Sequence, residues 1–325
     1  MRILIITQGV SRIVAPLLNS SHDVVGIVES APRGIDEYSV SIRSKVKLRE
    51  LFSSIGIVPA SLVSLCKYNQ IPYFLMGSRS GHALREWVSA LSPDIIVVYS
   101  MSQLLKKEIF SLPKFGAINL HPSYLPKYRG PNPNFWQYYF MEMEPGVSVH
   151  YIDESEDAGD ILYQKKVRLP LGIRSHDKQN ILVSEHGITL ILKALEVIEN
   201  GTVDRLPQPK NSPTPRARNI SKSEHSQIVK WEEWPIERIW HLMRGTEPWL
   251  NCIQQPSGVF KGHRWIISRY EKDFSSKVNM EMHFGQVFKD CTGYFVLCRD
   301  GKIRLERSFS LKVILKILAR MVFRI

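Results

Sequence analysis

Three features of the chain predict an α/β fold: a doubly wound, mostly parallel sheet, joined to a smaller C-terminal domain that is mainly β. Short apolar runs recur between helix-like segments through roughly the first two-thirds of the sequence. A proline-rich polar stretch, Pro207–Arg218, interrupts that pattern, and short strand-like pieces bounded by turn residues follow it. With 325 residues there is room for two domains of about 100–200 residues each.

The runs Ile3–Ile6, Val24–Val28, Ile95–Tyr99 and Ala117–Leu120 are continuous rather than alternating, with helix-like segments at about 11–20, 44–54, 80–91 and 102–112. Strands buried on both faces read in this way, so the order specifies a parallel sheet covered by helices on each side. Gly146–Ile152 alternates and reads as a further strand, and Ile161–Val167 pairs with it after an acidic loop. Asp177–Asn200 is a long helix stopped by Gly201. The boundaries predicted are 1–205 for the first domain, 206–222 for a linker and 223–307 for the second domain. Within the latter, a helix lies over Pro235–Arg244 and strands near 263–270, 284–289, 293–298 and 302–307, with a hairpin turn at Asp300-Gly301.

The chemistry concentrates in Phe115-Gly-Ala-Ile-Asn-Leu-His-Pro-Ser-Tyr-Leu-Pro-Lys-Tyr-Arg-Gly130 and, downstream, Glu156-Asp-Ala-Gly-Asp160. Side chains alternate along a strand, so Asn119 and His121 share a face. Pro122 ends the strand because it cannot donate to a ladder. An amide and an imidazole side by side on a rigid strand end, with a carboxylate available, suit acyl transfer. Asp157 stands out in the acidic run Asp153, Glu154, Glu156, Asp157, Asp160 because Gly159 follows and permits a tight turn. Clustered carboxylates tend to raise one another's pKa, which helps a base near neutral pH. His150, on the strand before that loop, reads as structural. A dinucleotide site is disfavoured, since Thr7-Gln-Gly-Val-Ser-Arg12 has one glycine where the fingerprint needs three.

At these residues the chain resembles the 10-formyltetrahydrofolate-dependent formyltransferases, a family that includes glycinamide ribonucleotide transformylase, methionyl-tRNA formyltransferase and the N-formyltransferases of nucleotide-linked amino sugars. Its signature is an Asn-x-His-Pro-Ser-x-Leu-Pro strand and loop, then an acidic loop with an Asp before a Gly. Here these fall on Asn119, His121 and Asp157, and the separation from His121 to Asp157 (157 − 121 = 36 residues) is the family's. The resemblance covers residues 1 to about 205 well and implies a formyltransferase fold, with the C-terminal domain OB-like as in the tRNA enzyme. It implies that Asn119, His121 and Asp157 are catalytic and that 10-formyltetrahydrofolate is the co-substrate, with no metal. By alignment it carries folate binding to Ser102, Gln103 and Leu105 and to Asp153 and Glu154.

Lys127 and Arg129, on a basic aromatic loop beside the catalytic strand, and Ser11 and Arg12, after the first strand, are candidates for binding the acceptor. The segment Arg129-Gly-Pro-Asn-Pro-Asn-Phe-Trp-Gln-Tyr-Tyr139 resembles the enzymes of surface-polysaccharide sugars, in lipopolysaccharide and O-antigen synthesis, more than the tRNA enzymes. The expected acceptor is thus an amino sugar linked to a nucleotide. The tRNA enzyme is the alternative, since Arg33, Arg43, Lys45, Lys47 and Arg49 fill the region where its basic insertion lies.

Net charge is +12, which favours anionic partners without choosing among phosphates, nucleic acid and acidic lipid. Cys66, Cys252, Cys291 and Cys298 are scattered, against a zinc ribbon or a secreted disulfide scaffold. The N-terminus looks like a strand rather than a leader, so a cytoplasmic protein is expected. In residues 308–325, Lys312, Lys316, Arg320 and Arg324 form one basic stripe on a helix. That helix either packs on the protein or a second subunit of a homodimer, or lies at the inner membrane face.

Overall fold

A computed structural model describes residues 1–32, 61–77, 81–272 and 283–307. The helix expected over 44–54, the basic residues from Arg33 to Arg49 and the basic helix expected over 308–325 lie outside the described residues. Two compact units make up the chain. The first holds Met1–Pro133, Pro145–Val167 and Gln179–Ala217; the second holds Asn134–Glu144, Arg168–Lys178 and the chain from Arg218 on.

The first unit is built on a seven-stranded sheet in the order β3-β2-β1-β4-β5-β6-β7. β1 (Arg2–Thr7), β2 (Asp23–Ser30), β3 (Tyr73–Met76), β4 (Ile95–Tyr99) and β5 (Ala117–His121) run parallel. β6 (Gly146–Tyr151) and β7 (Ile161–Lys166) extend the sheet antiparallel. Ile3 and Ile5 of β1 enter one apolar cluster, Leu4 and Ile6 another, so both faces are covered. That double burial is why the strand has no polar alternation. The helices are α1 (Val14–Leu18), α2 (Leu62–Tyr68), α3 (Gly81–Leu91), α4 (Lys107–Phe110) and α5 (Pro133–Tyr139). The predicted helix over Asp177–Asn200 comes as α6 (Ser175–Gln179), a π-helical stretch (Asn180–Gly187) and α7 (Ile188–Glu199). Strand order reverses between β1 and β4, the place where open α/β sheets bind ligands beyond the carboxyl ends of their strands.

In the second unit, β8 (Trp265–Lys272), β9 (Val287–Asp290), β10 (Gly293–Cys298) and β11 (Gly301–Arg307) form an antiparallel sheet in the order β8-β11-β10-β9. The described residues supply four strands, where an OB fold has five. Ile236, Ile239, Leu242 and Met243 of α8 (Ile236–Thr246) pack with Trp265, Val296 and Ile303 of the sheet and with Phe135 and Tyr138 of α5.

Two sequence readings need correction. Pro131-Asn-Pro-Asn134 reads as loop, yet Pro133 opens α5, since the first helical turn needs neither proline's missing N–H nor a freer φ. The second concerns the expected linker. Most of the Pro207–Arg218 stretch, through Ala217, belongs to the first unit. Its prolines are exposed, while Gln208, Ser212 and Thr214 are half-buried and hydrogen-bonded to neighbouring loops. The boundary therefore lies after Ala217, not near 205.

Candidate active site

β5 carries Asn119 and His121 to its carboxyl end, and the antiparallel register with β6 sets Asn119 opposite His150 and His121 opposite Ser148. Ser148 Oγ donates to the Ser123 carbonyl (2.7 Å) and accepts from the Leu125 N–H (3.0 Å). Gln164 Nε2 donates to the Leu125 carbonyl at 2.7 Å and to Ser148 Oγ at 2.8 Å. The loop after the strand is thus pinned by side chains of β6 and β7.

Asp157 reaches this strand end from the acidic loop. Its Oδ2 accepts the Gly130 N–H at 2.9 Å and lies 3.5 Å from His121 Nδ1. Its Oδ1 accepts from Asn119 Nδ2 at 3.4 Å. His121 donates through Nε2 to the Tyr128 carbonyl (3.0 Å), so Nδ1 is the nitrogen that faces the carboxylate. The left-handed residue of the loop is Asp157 itself, at φ +52°, rather than Gly159. Gly159 is required for another reason: a Cβ there would stand 2.1 Å from the Tyr151 carbonyl oxygen. The neighbouring acids are engaged elsewhere, Glu156 by both arms of Arg216 and Glu154 by Lys107.

His150 orients the amide. Its Nδ1 donates to the Tyr151 carbonyl (2.8 Å), which leaves Nε2 to accept from Asn119 Nδ2 at 3.2 Å. Burial pushes its pKa down to about 4 despite the pull of Asp157, so the ring stays neutral and can accept. Asn119 keeps one N–H on His150 and the other on the longer contact to Asp157. The site thus presents an aimed amide, an imidazole with one nitrogen anchored, and a carboxylate whose side chain is 16% exposed.

The other predicted residues fall as follows. Ser102 Oγ donates to the Ala31 carbonyl and shares a hydrogen bond with Ser30 Oγ, tying the turn after β4 to the end of β2. Gln103 is half-buried in that turn, and the Leu105 side chain is part of the apolar core. Arg12 donates twice to Asn180 Oδ1, and Ser11 Oγ is buried without a hydrogen-bond partner among the described residues. Asp153 caps the Ser155 N–H. Lys127 is half-buried on its loop. Arg129 does not reach out to a ligand here. Its donors go to Gln208 Oε1 and to the carbonyls of Pro209 and Lys210, so the loop read as an anion grip has this cation turned inward. Among the described residues, no group of three or more His, Cys, Asp or Glu could hold a metal ion, and no helix is long and apolar enough to cross a membrane.

An amide, an imidazole and a carboxylate gathered at one strand end are an arrangement that suits acyl transfer. Residues 60–181 match the family model described as formyl transferase. The chain is 33% identical over 196 residues to the methionyl-tRNA formyltransferase of Syntrophus aciditrophicus, a match spanning 59% of this chain and 60% of that enzyme. Among solved structures it resembles the N-formyltransferase of Helicobacter canadensis in complex with folinic acid and dTDP-3-aminofucose, with TM-score 0.60, 18% identity and coverage of 95% of this chain and 100% of that one. It also resembles Aquifex aeolicus HypX in complex with tetrahydrofolic acid, with TM-score 0.56 and 16% identity, where it covers 94% of itself and only 43% of that longer protein. At such identities the two structural likenesses establish the fold.

Proposed function

We propose that this chain transfers the formyl group of 10-formyltetrahydrofolate to the primary amine of an amino sugar, nucleotide-linked, for surface polysaccharide. The observation that carries the transfer is the meeting of Asn119, His121 and Asp157 at one strand end, with the carboxylate held by the Gly130 N–H. On this reading the neutral amine attacks the formyl carbon, forming the new C–N bond. Asn119 turns the N–H of its long Asp157 contact to the developing oxyanion, which His121 also stabilises. Asp157 takes the proton lost by the amine, and the bond from the formyl carbon to N10 then breaks as N10 regains a proton. One well-placed oxyanion donor contributes about 2.7–4 kcal/mol to lowering the barrier.

The residues at the switch point fit a polar co-substrate. Thr7 Oγ1 and Ser11 Oγ, at and just beyond the carboxyl end of β1, are buried with no hydrogen-bond partner among the described residues, and a ligand would satisfy them. Ser102, Gln103 and Leu105 after β4, and Asp153 and Glu154 on the acidic loop, are the proposed folate contacts. Arg12, held by Asn180 next to the switch point, is the proposed grip on the acceptor's anion.

The sugar reading is supported by the likeness to the Helicobacter canadensis enzyme along nearly the full length of both chains. Transfer to methionyl-tRNA is the second reading, favoured by the name of the Syntrophus relative and the net charge of +12. The test is 10-formyltetrahydrofolate consumption with nucleotide-linked 3- and 4-amino sugars and with Met-tRNA. Formylation of Met-tRNA alone would replace the sugar reading, and no transfer to any amine would remove the transfer itself.

A further inference from the structure

We propose that residues 208–217 are a strap that sets the geometry of the catalytic carboxylate, with Gln208 as its positioning residue; the proposal rests on the formyl-transfer reading above. Gln208 Nε2 donates to two backbone carbonyls of the acidic loop, those of Asp157 (3.1 Å) and Gly159 (2.7 Å). Its Oε1 accepts from Arg129 Nε (3.2 Å) and Nη2 (2.8 Å). Chemistry fixes the orientation of this carboxamide, because a flipped amide would set oxygen against carbonyls and N–H against a guanidinium.

The same segment also reaches the loop that follows the catalytic strand. Ser212 Oγ donates to the Pro126 carbonyl (2.8 Å), and Thr214 Oγ1 accepts the Tyr128 N–H (2.7 Å). Tyr128 is the residue whose carbonyl anchors His121 Nε2. Further along, Ala217 donates its N–H to the Arg129 carbonyl and accepts from the Asn132 N–H, both at 2.8 Å. Arg216 holds Glu156, the residue before Asp157. One run of chain thus ties down both the anchor of the imidazole and the backbone that carries the carboxylate. The restraint matters because Asp157 sits at a positive φ that L residues adopt only when their surroundings impose it. A misplacement of about 1 Å in such a group can cost about 100-fold in rate.

Gln208→Glu separates positioning from simple packing. It gives Arg129 a stronger acceptor while setting oxygen against the two loop carbonyls. We expect kcat to fall about 10- to 100-fold, with KM for both substrates within about twofold and the melting midpoint unchanged. Hydrogen exchange at amides 156–160 of the full-length variant should quicken. Wild-type kcat, a loss confined to KM, or unchanged exchange would overturn the proposal. Should Q208E fail to fold, Gln208→Ala removes the donors without opposing oxygens and carries the same expectation. A wild-type protein that formylates no amine would instead defeat the functional reading. The exchange measurement needs no turnover and would still decide the strap.

Discussion

At the carboxyl end of β5, Asn119 hydrogen-bonds to His150 and Asp157, and His121 stands 3.5 Å from that carboxylate, which keeps an open edge. In the second unit, Lys178, His241 and Tyr138 are more deeply buried and arranged otherwise. The Lys178 Nζ lies 4.3 Å from the centroid of the Tyr138 ring, and His241 sits against the same ring at 4.9 Å. His241 Nδ1 accepts the Gly172 N–H, and the Tyr138 hydroxyl donates to the Ile173 carbonyl. Burial brings the Lys178 amine down to about 7 against the pull of Glu142. Burial, then the nearby Lys178, brings His241 to about 4. Ionisable groups in a protein interior therefore do not by themselves mark a reactive centre. What marks one is convergence: several donors and acceptors aimed at one position that a substrate can enter.

The sharpest way to break that contrast is to remove chemistry without removing structure. His121→Asn or Asp157→Asn should lower turnover at least about 1000-fold, roughly 4 kcal/mol in the barrier, with the melting midpoint shifted by only a few degrees. Near-normal turnover in either variant would put the reactive centre elsewhere.

Lys178→Met tests the other cluster by stability instead. The amine titrates near 7 when folded and near 10.5 when unfolded, so between those values the unfolded chain holds the extra proton and stability rises with pH. The cost of charging the buried group is present in full below pH 7 and is on the order of 5 kcal/mol. Thermal melts at pH 7 and 9.5 should show the native protein gaining stability relative to K178M, with formyl transfer unchanged by the substitution. Parallel pH dependences in the two proteins would show that the amine is not sealed.

Asn119→Ala should cost about 3 kcal/mol in the barrier, read in kcat with little change in KM. A change in KM alone would reduce the amide to a binding group. The smallest effects concern glycines. Gly245→Ala puts a Cβ 2.2 Å from the buried Tyr138 ring and should destabilise by about 1–3 kcal/mol. Gly201→Ala meets open space and should cost about 1 kcal/mol, from its φ of +69° alone. Denaturant midpoints compare the two, and an equal loss would mean that the ring moves aside.

The candidate site residues were legible for local reasons. Period-two spacing put Asn119 and His121 on one face, Pro122 marked the strand end, and the spacing to Asp157 came with the family resemblance. What the sequence concealed is non-local. His150 aims the amide because of strand register, which no residue type announces. Gln208 and Arg129 meet across a separation of 79 residues, and prolines around Gln208 read as a free linker although the polar residues between them turn inward. β3 and α2 are short and flanked by polar residues, too slight a pattern to separate from loop. The boundary failed for a related cause: the second unit takes in Asn134–Glu144 and Arg168–Lys178 from within the first.

That interleaving governs how the chain can be made. Phe135 and Tyr138 leave the ribosome about 100 residues ahead of α8, on which they pack. At about 5–20 residues per second, two large aromatic side chains wait on the order of 5–20 s for the helix that buries them. The first unit cannot close its strap until Ala217 has been synthesised. A nascent chain stalled between those points carries β5 with the Asp157 loop unfastened and an aromatic surface exposed to chaperones and proteases. No single cut in such a chain yields two self-sufficient halves, so recombination between relatives has to exchange three segments together to move the second unit intact.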